Sequence, residues 1–138
     1  MRPRKKILLV SADEEGNQVR RYDLWTHRYD VKAAGSAAEA LEQLHGRQFD
    51  LLLCELPLKG VQSLLKKAPA LNPELKTILL TAKPEDTPSE LFVNAILPKY
   101  TSVEQLLEHI KLRVNRKRGP KKAPTVDRMM ELAERRIA

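Results

Sequence analysis

Cysteine is almost absent from this chain of 138 residues, which has only Cys54. A single thiol excludes an internal disulfide and a cysteine-built zinc site. Its place in the apolar run LLLC points to an inert, buried side chain. Aromatic residues make up 4% of the sequence, so a core has to be assembled from Leu, Val, Ile and Ala. Glycine is also scarce. Gly16 stands alone after the first apolar run, which argues against a glycine-rich phosphate loop of the dinucleotide-binding kind. His27, His45 and His109 lie far apart and suggest no metal site, and no cofactor is expected. Long apolar runs are missing too. Residues 7–10 are too short a stretch for a signal peptide or a membrane span, so a cytoplasmic protein without membrane contact is expected.

What is present is one core's worth of apolar residues and an uneven charge. Hydrophobic residues make up 42%, and a chain of this length buries a single core rather than two. The net charge is +7, but residues 1–110 hold 15 Lys/Arg against 15 Asp/Glu. Residues 111–138 hold 10 basic and 3 acidic side chains and so carry the whole excess. The basic character describes a tail and not a basic domain.

Strand-like and helix-like patterns alternate along the body. Lys6–Val10 (KILLV) has strand length, and a helix is predicted over 18–27, where Val19, Tyr22 and Trp25 fall at helical spacing. On that helix Trp25 is expected to cover the edge of the core. Residues 29–34 alternate as a strand does. Ser36 and Glu39 then form a capping box for a second helix with Ala37, Ala40, Leu41 and Leu44 inward. Residues 49–55 (FDLLLCE) read as a strand buried on both faces, and a short helix over 61–68 follows, ended by Pro69 and Pro73. Residues 76–82 form another covered strand, 95–97 end a fifth, and 102–114 make a closing amphipathic helix. Pro84 and Pro88 stunt any helix between the last two strands. Five strands alternating with helices imply an α/β fold with a doubly wound, five-stranded parallel sheet. Ligand sites in such sheets lie at the carboxyl ends of the strands.

Those strand ends carry a family resemblance. The segments KKILLVSADEEGNQVRRYDLW, YDVKAAGSAAEALEQL, FDLLLCELPLKGVQSLL, KTILLTAK and ILPKYTSVEQLLEHI resemble, in order and spacing, the receiver domains of response regulators (CheY-like, flavodoxin-like fold). The resemblance implies a receiver-like domain over 1–114. Receivers transfer a phosphoryl group to an aspartate ending the third strand. An acidic pair after the first strand holds Mg²⁺, while a hydroxyl after the fourth and a lysine after the fifth hold phosphoryl oxygens.

On this chain the acceptor position falls on Glu55, the acidic pair on Ser11 and Ala12, the hydroxyl on Thr81 and the lysine on Lys99. The switch position on the fifth strand, usually aromatic, is Ile96. Lys99 is followed by Tyr100 instead of proline, and the turn after Glu55 is short, with Pro57 close behind. Glutamate places its oxygens beyond the attack position, and Mg²⁺ loses its carboxylates, so a degenerate pseudo-receiver without catalysis is expected. Such a module works through a protein partner or self-association, with Glu55 imitating the phosphorylated charge or simply pairing with Lys99.

Residues 115–138 read as a basic linker and a short amphipathic helix, a C-terminal helical tail. Val126, Met129, Met130, Ala133 and Ile137 share one face over 126–137, and such a helix needs a surface to dock on. Arg113, Arg116, Lys117, Arg118, Lys121 and Lys122 are candidate contacts for non-specific nucleic-acid binding through phosphates. No aromatic side chains interleave them to stack on bases.

Overall fold

The computed structural model describes residues 4–86 and 93–114. The tail, with its expected helix and the basic residues Arg116, Lys117, Arg118, Lys121 and Lys122, lies outside the described residues. Strands β1 (Lys6–Val10), β2 (Asp30–Ala34), β3 (Leu51–Glu55), β4 (Lys76–Thr81) and β5 (Ala95–Pro98) alternate with helices α1 (Glu14–Thr26), α2 (Ala37–Gly46), α3 (Val61–Leu71) and α4 (Val103–Val114). Every strand pairing is parallel, and the order is β2-β1-β3-β4-β5. The doubly wound sheet expected from the alternation is therefore present. Residues Pro84–Asp86 form a single 3-10 turn after β4.

The solid apolar runs are explained by cover on both faces. Ile7, Leu9, Leu51, Leu53, Ile78, Leu80 and Leu97 pack with Leu24 of α1 and Leu106, Leu107, Ile110 and Val114 of α4. Leu8, Val10, Leu52, Cys54 and Leu79 pack on the other face with Ala40 and Leu44 of α2 and Leu64, Leu65 and Ala68 of α3. The period-2 alternation of strand side chains sorts one run into two cores. Asn72, buried just after α3, ties three elements on that second face. Its Oδ1 accepts from the Phe49 N–H at 2.6 Å, and its Nδ2 donates to the Leu44 and Arg47 carbonyls at 3.4 and 3.2 Å.

Helix α1 differs from the expectation at its start and on its faces. It begins at Glu14 and not at residue 18, because Asp13 is the N-cap and accepts from the Gly16 N–H at 3.1 Å. Glu14 and Glu15 then occupy the first turn, where the helix dipole favours acids. Trp25 does not cover the core edge: Trp25, Val19 and Tyr22 are exposed by 54%, 64% and 64%. The inner face carries Asn17 and Leu24 instead. Asn17 is drawn in because its Nδ2 donates to the Ser11 and Ala34 carbonyls, at 3.1 and 3.2 Å, which end β1 and β2.

Two other ends depart from the sequence pattern. The Ser36 hydroxyl accepts from Glu39 N–H at 3.1 Å, but the returning Glu39 carboxylate takes the N–H of Gly35, at 2.6 Å, instead of that of Ser36. Helix α3 runs through Pro69 to Leu71, past the predicted stop at residue 68. Proline denies the helix a single donor there, and only two residues follow it, so the last turn survives.

At its C-terminus α1 closes with paired bonds. The Tyr29 N–H donates to the Leu24 carbonyl at 3.2 Å, and the Arg28 N–H to the Trp25 carbonyl at 3.0 Å. This is a Schellman closure with Leu24 and Tyr29 meeting in the core. The residue in the left-handed position is Arg28, at φ 74°, where glycine is favoured. Replacing Arg28 with Gly is expected to stabilise the fold by about 1 kcal/mol, read as a raised urea midpoint at unchanged slope.

Burial pushes the Cys54 thiol up from 9.0 to about 12, with the neighbouring Glu55 carboxylate adding to the shift. The folded thiol stays protonated at pH 8, so it should resist alkylation by iodoacetamide and react promptly in denaturant. The unfolded thiol ionises first, so this side chain's contribution to stability is intact below pH 9.0 and drains away as pH climbs towards about 12.

Candidate functional site

The strand order reverses at β1, with β2 on one side and β3 on the other, so the crevice of the fold opens at the carboxyl ends of β1 and β3. Ser11 follows β1 there, and Glu55 closes β3. Lys99 follows β5, and its N–H donates to the Thr81 carbonyl at 2.8 Å, which holds the ends of β4 and β5 together. The topology thus brings Ser11, Glu55, Thr81 and Lys99 to one edge of the sheet.

Glu55 is the centre of this edge. Leu51 and Leu53 face the α1/α4 side, and the strand alternation sends Glu55 out on that side too. It is only 5% exposed. An ionised carboxylate so enclosed needs partners, and it has two. Its Oε2 lies 3.6 Å from Lys99 Nζ, the partner expected from the sequence. Its Oε1 accepts from Arg20 Nη1 at 2.9 Å. The short guanidinium contact is the stronger of the two, being within charge-assisted hydrogen-bond range.

Sequence reasoning missed Arg20. It lies 35 positions from Glu55, on α1, and no strand-end motif includes it. A signal existed in the spacing: Asn17, Arg20 and Leu24 fall at i, i+3 and i+7, one inward face of α1. Asn17 anchors the top of that face to the ends of β1 and β2, and Arg20, one turn on, lies beside Glu55.

The remaining positions have local partners of their own. The Ser11 hydroxyl accepts from the Asp13 N–H at 3.0 Å and is buried, while Ala12 is exposed and carries no ligand atom. Asp13, adjacent to the pair, caps α1. In the β3–β4 register Glu55 is opposite Leu80, which puts Thr81 one step further on and opposite in parity. The Thr81 hydroxyl accepts from the Lys83 N–H at 3.3 Å and so caps the loop. Ile96 pairs with Leu79 on the edge strand and is 37% exposed. Arg113 is fastened to the body, donating to the His109 and Asn94 carbonyls at 3.3 and 3.1 Å. Among the described residues no group of three or more His, Cys, Asp or Glu is placed to hold a metal ion, and no helix is long and apolar enough to cross a membrane.

No protein-family model matches the chain. Over 85 residues, 60% of its length, it is 33% identical to the transcriptional regulatory protein ZraR of Escherichia coli O157:H7, and the matched stretch is 15% of that relative. It superposes on the CheY-like response regulator receiver domain protein of Methanospirillum hungatei with a TM-score of 0.73 and 27% identity, covering 81% of this chain and 94% of that one. The signal receiver domain of an HD domain-containing protein from Pseudomonas fluorescens gives 0.74 and 25%, covering 83% and 90%. The sheet order and these similarities agree that the body of the chain has the fold of the CheY-like response regulator receiver domains and resembles them in sequence.

Proposed function

We propose that this receiver domain is a pseudo-receiver, a signalling or scaffold module that acts through protein–protein contact without being phosphorylated. The observation that carries the reading is the engagement of both Glu55 oxygens by cations from the chain itself, Arg20 and Lys99. A receiver at work keeps its acceptor carboxylate beside a divalent metal and open to the incoming phosphoryl group. Here the guanidinium of Arg20 takes one of the oxygens a metal would need.

The residues do not fit Mg²⁺. That ion asks for hard oxygen ligands in near-octahedral array, usually one or two carboxylates besides water and phosphate. Ser11 offers a single hydroxyl that already accepts a backbone N–H, and Ala12 offers nothing. Glutamate in place of aspartate also sets the oxygens past the in-line attack position, where small displacements are costly. The fixed negative charge of Glu55 instead stands near where a phosphoryl charge would stand, held by the same lysine position.

Incubation of the full chain with acetyl phosphate and Mg²⁺, followed by intact mass spectrometry, is expected to show no phosphoryl adduct. A stable adduct would overturn the non-catalytic reading. The charge itself is tested by Glu55→Gln, which leaves Arg20 and Lys99 without their counter-ion. The variant should lose about 1–3 kcal/mol in chemical denaturation, since hydrogen bonds to a charged group are lost in a buried setting. If Glu55 also signals, the variant changes affinity for its protein partner or the oligomeric state; unchanged binding and mass would reduce its role to that of a strand-end anchor.

A further inference from the structure

The outward face of α1 is unusual for a helix on a sheet. Val19, Tyr22 and Trp25 make an exposed apolar stripe, with the Tyr22 and Trp25 rings 6.2 Å apart and Arg4 lying 5.9 Å over the Trp25 ring. Three large apolar side chains in one line along a helix form a patch that soluble surfaces usually cover. The core does not require them there, because Asn17 and Leu24 supply the inner face.

We propose that this stripe is the docking site for the chain's own segment 126–137, packed as a helix against α1. Connectivity favours it. In a parallel α/β fold, α1 descends from the carboxyl ends of the strands to their amino ends, and α4 does the same. Val114, the last residue of α4, and Leu24, near the end of α1, belong to the same core cluster on the same face of the sheet. The chain therefore leaves the described body at the end of the sheet where Trp25 lies. Packed helices sit roughly 8–10 Å apart, and the eleven residues 115–125 reach up to about 36 Å when extended, so the span is easily made.

Length and charge match as well. Twelve helical residues extend about 18 Å and α1, with thirteen, about 20 Å. A helix entering beside Trp25 runs antiparallel to α1. That direction places Asp127 by the lower end, where Arg4 lies over Trp25 and Arg28 follows the helix, and Arg135 and Arg136 by Glu14 and Glu15 of the first turn. Val126, Met129, Met130, Ala133 and Ile137 then face Val19, Tyr22 and Trp25. Methionine suits such a surface, being flexible and favourable against aromatic rings. A segment this short is marginal as an isolated helix, and the stripe would supply the packing it needs. This inference stands independently of Glu55 and of phosphorylation.

Trp25 is the chain's only tryptophan and reports on the stripe directly. The full chain is compared with its Met129→Asp/Met130→Asp variant by emission spectrum and acrylamide quenching, and each is sized by light scattering. Docking predicts blue-shifted, protected emission in the wild type, lost in the variant, at every protein concentration. Identical spectra and quenching would overturn the proposal. So would protection that appears only together with a dimer mass, which would make the occupant a second copy. Hydrogen exchange supplies the reverse view: amides of 126–137 should be protected in the wild type and lose that protection in Val19→Asp, whose site is exposed and dispensable to the core. Protection unchanged by Val19→Asp would place the segment elsewhere.

Discussion

A carboxylate shut away from water at the end of the central strand sets the terms for everything around it. Removing an ion of that size from water costs several kcal/mol even in a relaxed protein, and only close counter-charges with hydrogen bonds offset it. Glu55 meets that demand with cations from opposite directions, Arg20 from α1 and Lys99 from the loop after β5. The pairing fastens a helix and an edge strand to the middle of the sheet. Arg20 reaches Glu55 from a helix that Asn17 ties to the ends of β1 and β2 and that Leu24 seats in the core. The polar contacts at this edge thus run in sequence from the strand ends to Asn17 and, one turn on, from Arg20 to Glu55.

Most of the architecture was legible because it follows from local rules. Apolar runs of four or five residues between polar clusters marked the strands, and their solidity marked a sheet covered on both faces. Ser36 marked the start of α2. The misreadings cluster on α1, where two local signals competed. The sequence Asp13-Glu14-Glu15 is a cap followed by a first turn, but its polarity resembles a loop, and the apolar spacing of Val19, Tyr22 and Trp25 looks like a buried face. The buried face instead carries an asparagine, drawn inward by two backbone carbonyls that come from strands distant in sequence. No periodicity rule weighs a tertiary hydrogen bond of that kind.

The site was legible in a similar proportion. Glu55, Thr81 and Lys99 could be placed because strand ends in a parallel sheet converge, so position along the chain translates into position in space. Arg20 could not, since it enters from the middle of a helix, where convergence gives no guidance. Thr81 shows the opposite limit. It ends β4 as expected, yet its hydroxyl accepts from the Lys83 N–H two residues on, a bond within the loop.

Under the proposed pseudo-receiver reading a built-in cation stands where an exchangeable one would, and that has a consequence for how such a module can be controlled. A metal and a phosphoryl group come and go, so a site that depends on them reports cellular chemistry. A guanidinium and a carboxylate on the same chain have no exchange equilibrium to report, and their balance is fixed once the fold has formed. Under the proposed pseudo-receiver reading, any variable input has to reach the domain through a surface that changes occupancy. On the docking proposed for it the α1 stripe is such a surface, and it belongs to the same helix that carries Asn17 and Arg20 on its inner side. Val19, Tyr22 and Trp25 on the outer face of α1 therefore lie about one helix diameter from the pairing that Arg20 makes with Glu55 on the inner side.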